Sequence, residues 1–293
     1  MPESPWIPLL LRALRVIAIV YVVAAAGLWL LGNRLMFQPQ TASYRDDLLG
    51  LIRIPIGEDT LAAVWLPNPA ARFTILYSHG NAEDLGDDLP VLRALHGRGF
   101  AVLAYDYRGY GLSTGRPSER NAYADEAAAY AWLTREMAVP PGRIIVHGRS
   151  IGGGPAAELA SRERVAGLVL ESTFTSAHSV SPLGRLFPFD RFRSGRRLAA
   201  VRSPVLVIHG TADEVIPIAV GRRLYELARE PKQSLWVDGA GHNDLIDVAG
   251  ERYWQALQHF ASSLPEESRV RAHGGARKPV AAMWPNSDDS LTP

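Results

Sequence analysis

Residues 143–160 read Arg143-Ile144-Ile145-Val146-His147-Gly148-Arg149-Ser150-Ile151-Gly152-Gly153-Gly154-Pro155-Ala156-Ala157-Glu158-Leu159-Ala160. Ile144-Ile145-Val146 is an unbroken β-branched apolar run, the signature of a strand buried on both faces. Ala156 to Ala160 is rich in strong helix formers. Between them stands Gly148-Arg149-Ser150-Ile151-Gly152, a G-x-S-x-G pattern. A strand that turns directly into a helix exposes its middle residue on a strained turn, and flanking glycines leave the room that side chains would fill. Ser150 is therefore the candidate nucleophile. The helix after it aims its free N–H groups at the place where negative charge would develop.

Working outward from this stretch, strands and helices alternate. Leu51 to Ile56 and Thr60 to Leu66 flank Gly57-Glu58-Asp59 as a hairpin. Phe73 to Tyr77 reads as a buried strand ending at His79-Gly80-Asn81, and Leu85, Leu89, Leu92 and Leu95 mark one face of a helix. Phe100 to Tyr105 is a strand, followed by a helix from about Glu119 to Met137 that Pro140-Pro141 ends. After the 143–160 unit come a strand over Ala166 to Leu170, an aperiodic excursion over 172–200, and a strand over Pro204 to Ile208. A helix over Ile218 to Arg229, a strand over Ser234 to Val237 and a closing helix over Ala249 to Phe260 complete the pattern. Such alternation predicts an α/β fold, a mainly parallel sheet with helices on both faces. Sites in these sheets lie beyond the carboxyl ends of strands, and polar clusters follow Tyr77, Tyr105, Val146, Ile208 and Val237. Residues 265–293 are polar and aperiodic, the composition of a disordered tail.

The chain has 293 residues, 47% hydrophobic and 21% charged, with a net charge of +1 and no cysteine. That is ordinary for a globular core. The charge balance leaves no electrostatic footprint for nucleic acid. Without cysteine there is no disulfide, no thiolate catalysis and no Cys-based zinc site.

Residues 1–37 are expected to form a membrane anchor ahead of a catalytic domain at 38–264. Val16 to Leu31 carries no charge. With Leu9 to Leu11, and with Arg12 and Arg15 snorkelling, the stretch reaches the roughly 20 residues that a span needs. Ala24-Ala25-Ala26 resembles a signal-peptide cleavage site, but the apolar run continues through Leu31, which favours an uncleaved single-pass anchor over a signal or a buried core helix. Arg12 and Arg15 precede the span, which tilts the expectation toward the catalytic domain lying outside the cytoplasm.

A second G-x-S-x-G occurs at Gly111-Leu112-Ser113-Thr114-Gly115. Ser113 lies several residues past its strand and no helix begins there, so it reads as a turn serine. Ser150 needs a base to accept its proton and an acid to hold that base's tautomer. Of the later histidines, His242 sits in a loop after the last strand, whereas His178 lies in the excursion, His259 on a helix and His273 in the tail. His209 ends a strand and reads as packed. Asp213 follows a strand and precedes His242, the order Ser, Asp, His expected on this architecture. The oxyanion would be held by the N–H of Ile151 and, from the loop after Tyr77, that of Asn81.

Together His79-Gly80-Asn81-Ala82-Glu83, Asp106-Tyr107-Arg108-Gly109-Tyr110-Gly111, the Ser150 elbow, His209-Gly210-Thr211-Ala212-Asp213 and Gly241-His242 resemble the α/β-hydrolase superfamily. With Leu35-Met36-Phe37-Gln38-Pro39 behind an apolar N-terminus, the chain looks like its membrane-anchored branch, whose relatives include acyl-protein thioesterase-like and serine aminopeptidase-like hydrolases. The resemblance covers about 35–262. It implies a serine nucleophile, no metal and no organic cofactor, and it leaves the substrate open. The excursion is short for a lipase-type lid. The expected activity is hydrolysis of esters or thioesters on small or acylated substrates near the bilayer. Amide hydrolysis would need an acidic pocket for a free amine. A binding protein on this scaffold would usually have lost a triad member. The oligomeric state is left open.

Overall fold

A computed structural model describes residues 6–180 and 190–265, apart from the side chain of Ile7. Residues 181–189 of the excursion and 266–293 of the expected tail lie outside the described residues. The chain begins with a long helix, α1 (Trp6–Met36). An eight-stranded sheet follows, ordered β1-β2-β4-β3-β5-β6-β7-β8. In sequence the strands are β1 (Leu51–Ile56), β2 (Asp59–Leu66), β3 (Thr74–Ser78), β4 (Ala101–Tyr105), β5 (Ile144–Arg149), β6 (Gly167–Glu171), β7 (Val205–Gly210) and β8 (Lys232–Val237). β2 runs antiparallel to both its neighbours, and β3 to β8 are parallel to one another. The mainly parallel sheet inferred from the alternating pattern is therefore present.

The central strands are buried from end to end, so successive side chains feed two cores with period two. Leu76, Val146 and Val207 enter one core with Tyr130, Leu159 and Leu224. Ile75, Ile145 and Leu206 enter the other with Leu92, Tyr253 and Phe260. The first core lies under α3 (Glu119–Ala131), α4 (Gly153–Arg162) and α7 (Ile218–Leu227). The second lies under α2 (Leu85–Gly97) and α9 (Glu251–Ser263). Asp84 starts α2 with a capping box, accepting from the N–H groups of Gly86 and Asp87 while Asp87 reaches back to the Asp84 N–H. Asp88 joins Leu85, Leu92 and Leu95 among the buried residues of this helix, which the leucine pattern did not show.

Three elements depart from expectation. The helix expected over 119–137 widens into a π-turn at Trp132–Glu136. The Thr134 hydroxyl donates to the Tyr130 carbonyl at 3.0 Å, occupying the acceptor that an α-helical N–H would use. The closing helix expected over Ala249 to Phe260 is α9, and a short helix not expected, α8 (Leu245–Ala249), precedes it across Gly250 with φ +55°. The aperiodic excursion contains α5 (Ala177–Val180) and α6 (Ser194–Leu198). Helix α1 is long and apolar enough to cross a membrane. Its end is tied to the sheet domain, for Phe37 is buried with its ring edge-on to Tyr110 and Phe192.

Candidate active site

β5 ends at Arg149, a short 3₁₀ turn covers Ser150–Gly152, and α4 begins at Gly153. Ser150 has φ +51°, the left-handed region that a non-glycine residue seldom occupies. Close packing demands the glycines. A Cβ on Gly148 would run into the Gly152 carbonyl, and one on Gly152 into the Ser78 carbonyl. Gly153 lies against Thr173 and Gly154 against Phe192 in the same way. The Thr173 hydroxyl donates to the Ser150 carbonyl at 2.5 Å and holds the turn from below.

The parallel strands deliver the expected partners to one edge. His242 Nε2 lies 3.0 Å from Ser150 Oγ, and His242 Nδ1 lies 2.8 Å from Asp213 Oδ2. All three residues are buried. With Nδ1–H donating to Asp213, Nε2 is left to accept from the serine hydroxyl. Asp213 does two things at once. Its Oδ1 accepts from the N–H groups of Val215 (2.9 Å) and Ile216 (2.7 Å), and its Oδ2 faces His242. Burial pushes the Asp213 carboxyl up, but the His242 and Ile216 hydrogen bonds outweigh it and hold the carboxyl below its usual range. Asp213 therefore stays ionised opposite the imidazole. His209 Nε2 lies 2.8 Å from the Ile216 carbonyl, the packed role expected of it, and burial keeps that imidazole's pKa low.

Ser113 sits at the other G-x-S-x-G in a different setting. Its hydroxyl donates to the Asp106 carbonyl and accepts from the Ala62 N–H, both at 2.8 Å, and pins the turn to β2.

A cavity of about 580 Å³ opens at Ser150. Asn81 and Ile151, the two residues expected to supply N–H donors, both line it with the serine. Phe174, Val180, Val215 and Ile216 add apolar walls from the domain. His178, left in the excursion by the sequence, also reaches this wall, where its N–H donates to Asp190 at 3.1 Å. The Asn81 side chain has a role that the sequence did not announce. Its Nδ2 donates to the Met36 carbonyl at 2.7 Å, and its Oδ1 accepts from the Gln38 N–H and the Tyr110 hydroxyl.

Arg149, the variable residue of the elbow, was also missed. It pairs with Glu83, approaches Glu171 at 3.5 Å, and donates to the His242 carbonyl and to Asn243 Oδ1. It thereby fastens the loop that carries His242 to β5. Glu171 is fully buried and hydrogen-bonded to His147 Nε2 (2.8 Å) and the Tyr253 hydroxyl (2.6 Å). A guanidinium in the middle of the G-x-S-x-G pattern was the one available signal, because its charge beside a buried turn demands carboxylate partners.

Among the described residues, His79, Glu83 and Asp88 offer donor atoms within 4.8 Å of one another. Glu83 is already engaged by Arg149 and by the Gly80 N–H. The guanidinium supplies positive charge where a cation would sit, so these residues fit an ion-paired cluster better than a metal site.

The fold is that of the α/β-hydrolase class. The model of the α/β hydrolase fold family matches residues 74–200. The chain is 47% identical over 212 residues to alpha/beta hydrolase domain-containing protein aho-3 of Caenorhabditis elegans, a match that spans 70% of this chain and 62% of that one. It is 40% identical over 198 residues to the human alpha/beta hydrolase domain-containing protein 17B, spanning 67% and 68% of the two chains. Among solved structures, the Pyrococcus furiosus esterase Pf2001 superimposes with a TM-score of 0.65 at 20% identity, covering 78% of this chain and 98% of the esterase. Est1E of Butyrivibrio proteoclasticus, solved with ferulic acid, superimposes at 0.62 and 17% identity, covering 72% and 99%. The chain belongs to the α/β-hydrolase family.

Proposed function

We propose that this protein is a membrane-anchored serine hydrolase that cleaves carboxylic esters or thioesters through an acyl-enzyme. The observation that carries the reading is the unbroken chain from Ser150 Oγ to His242 (3.0 Å) to Asp213 (2.8 Å), with Ser150 lining a cavity. Ser150 attacks the acyl carbonyl while its proton passes to His242 Nε2. The N–H groups of Ile151 and Asn81 hold the oxyanion, each donor accounting for roughly a hundredfold to a thousandfold in rate. The imidazolium, stabilised by ionised Asp213, gives its proton to the departing alcohol or thiol. Water then gives its proton to His242 as it attacks the acyl-enzyme, and the carboxylic acid leaves with Ser150 restored.

No carboxylate stands among the described residues that line the cavity, so nothing there would bind the free amine of an aminopeptidase substrate. We assign the anchor to α1 and place the hydrolase domain on the outer side, on the strength of Arg12 and Arg15 before the apolar run.

A fluorophosphonate probe tests the reading. Wild type and Ser113→Ala are expected to label and Ser150→Ala to stay unlabelled; full labelling of Ser150→Ala would sink the proposal.

A further inference from the structure

Helix α1 does more than run past the domain. Leu28, Gly32, Leu35 and Met36 line the cavity that holds Ser150. Their spacing, i, i+4, i+7 and i+8, puts them on one helical face. Ala25, one turn earlier on that stripe, is buried, whereas Leu30 on the opposite face is 70% exposed.

That face is held in place. Arg191 hydrogen-bonds Asn33 Oδ1 and reaches the Trp29 carbonyl. Asn81 clasps the Met36 carbonyl, and the Gln38 N–H donates to the Tyr110 hydroxyl at 2.9 Å. Gly32 lets the arginine close in, for a Cβ there would stand 2.8 Å from Arg191 Nη2.

We propose that these last turns of α1 form one wall of an acyl-chain subsite, so that the helix that anchors the enzyme also measures the fatty chain it accepts. The proposal rests on the serine-hydrolase reading and adds to it the source of chain-length selectivity. The occupant follows from the lining. Leu28, Leu35, Met36, Ile151, Phe174 and Val180 make the lining largely apolar, and Asn81, Ser150, His178 and Arg191 are its polar members. A cavity of about 580 Å³ falls in the range that encloses an elongated small ligand. The geometry of α1 explains how a chain would arrive. A helix of 31 residues is about 46 Å long, well beyond the roughly 30 Å of a bilayer core, so its end stands at the headgroups. An acyl chain rising from the bilayer along α1 meets Leu28 first and Ser150 at the end.

The test compares p-nitrophenyl palmitate with p-nitrophenyl acetate on the full-length protein in detergent micelles. Each methylene that enters an apolar wall contributes up to about fourfold in kcat/KM. Leu28→Trp and Leu35→Trp fill the subsite, so the palmitate-to-acetate ratio of kcat/KM is expected to fall at least about tenfold relative to wild type. Leu28→Ala opens the wall and is expected to move the preferred chain toward longer or bulkier acyl groups; it carries the test if a Trp variant fails to fold. Val20→Trp, on an exposed face away from the cavity, controls for a general effect on the helix. If the Leu28 and Leu35 variants keep the ratio of Val20→Trp, the wall proposal is overturned. Hydrolysis of both esters by Ser150→Ala at the wild-type rate would instead overturn the serine reading, so the two failures are distinct.

Discussion

At the scale of single residues, the decisive atom is held at a conformational cost. Ser150 sits at φ +51°, which disfavours any residue with a Cβ by roughly 1–2 kcal/mol. Ser150→Ala and Ser150→Gly both remove the hydroxyl and its bond to His242. Only glycine also relieves the backbone. Ser150→Gly is therefore expected to be more stable than Ser150→Ala by roughly 1–2 kcal/mol, with a correspondingly higher thermal midpoint. Equal midpoints would mean that the elbow carries no such strain. Ser113 shows why a motif alone misleads. Its hydroxyl is consumed by two backbone hydrogen bonds, and a serine used in that way has no proton to trade with a base.

At the scale of elements, the site is a meeting of strand ends. β5 brings Ser150, the loop after β7 Asp213, and the loop after β8 His242. A Cβ on Gly210 would collide with the Ala240 carbonyl, which measures how closely the loops of Asp213 and His242 pack. Arg149 and Glu171 tie these ends together. Burial alone would push the Glu171 carboxyl up; the His147 hydrogen bond, the charges of His147 and Arg149, and the Tyr253 hydroxyl outweigh it and hold the carboxyl below its ordinary 4.5. A carboxyl with a depressed folded-state pKa stabilises the fold above its unfolded value, and that contribution is lost as pH falls through the folded value. Wild type is thus expected to be more stable than Glu171→Gln at neutral pH, and their thermal midpoints should converge below pH 4.5. Parallel curves down to about pH 3 would contradict this linkage.

At the scale of the whole molecule, α1 and the hydrolase domain form a continuous surface, joined through Phe37, Asn81 and Arg191. The helix displays Ile17, Ile19, Val20 and Val23 at 60% exposure or more, a surface too apolar for water. Fluorophosphonate-labelled protein is expected to remain in the membrane pellet through alkaline carbonate washing and to be released by detergent. Release by carbonate alone would refute the anchor. A phosphatase reporter fused after the domain should be active only if the domain faces outward, which tests the orientation inferred from Arg12 and Arg15.

Much of this protein is legible in its sequence. The alternation of apolar runs and amphipathic stretches determined the α/β sheet, because burial on both faces requires unbroken β-branched strands with helices between them. Local context around Ser150 separated it from Ser113, and chain order selected Asp213 and His242. These are short-range or ordinal properties, which a linear string carries. Contacts between residues far apart in the chain were decided by the tertiary structure. Arg149 meets the His242 loop across 93 positions and Arg191 meets Asn33 across 158. Which face of α1 turns toward Ser150 depends on where the sheet stands relative to the helix, and no periodicity within α1 encodes that. Hydrophobic pattern specifies that a face must be covered; only the fold, by packing one element on another, decides what covers it.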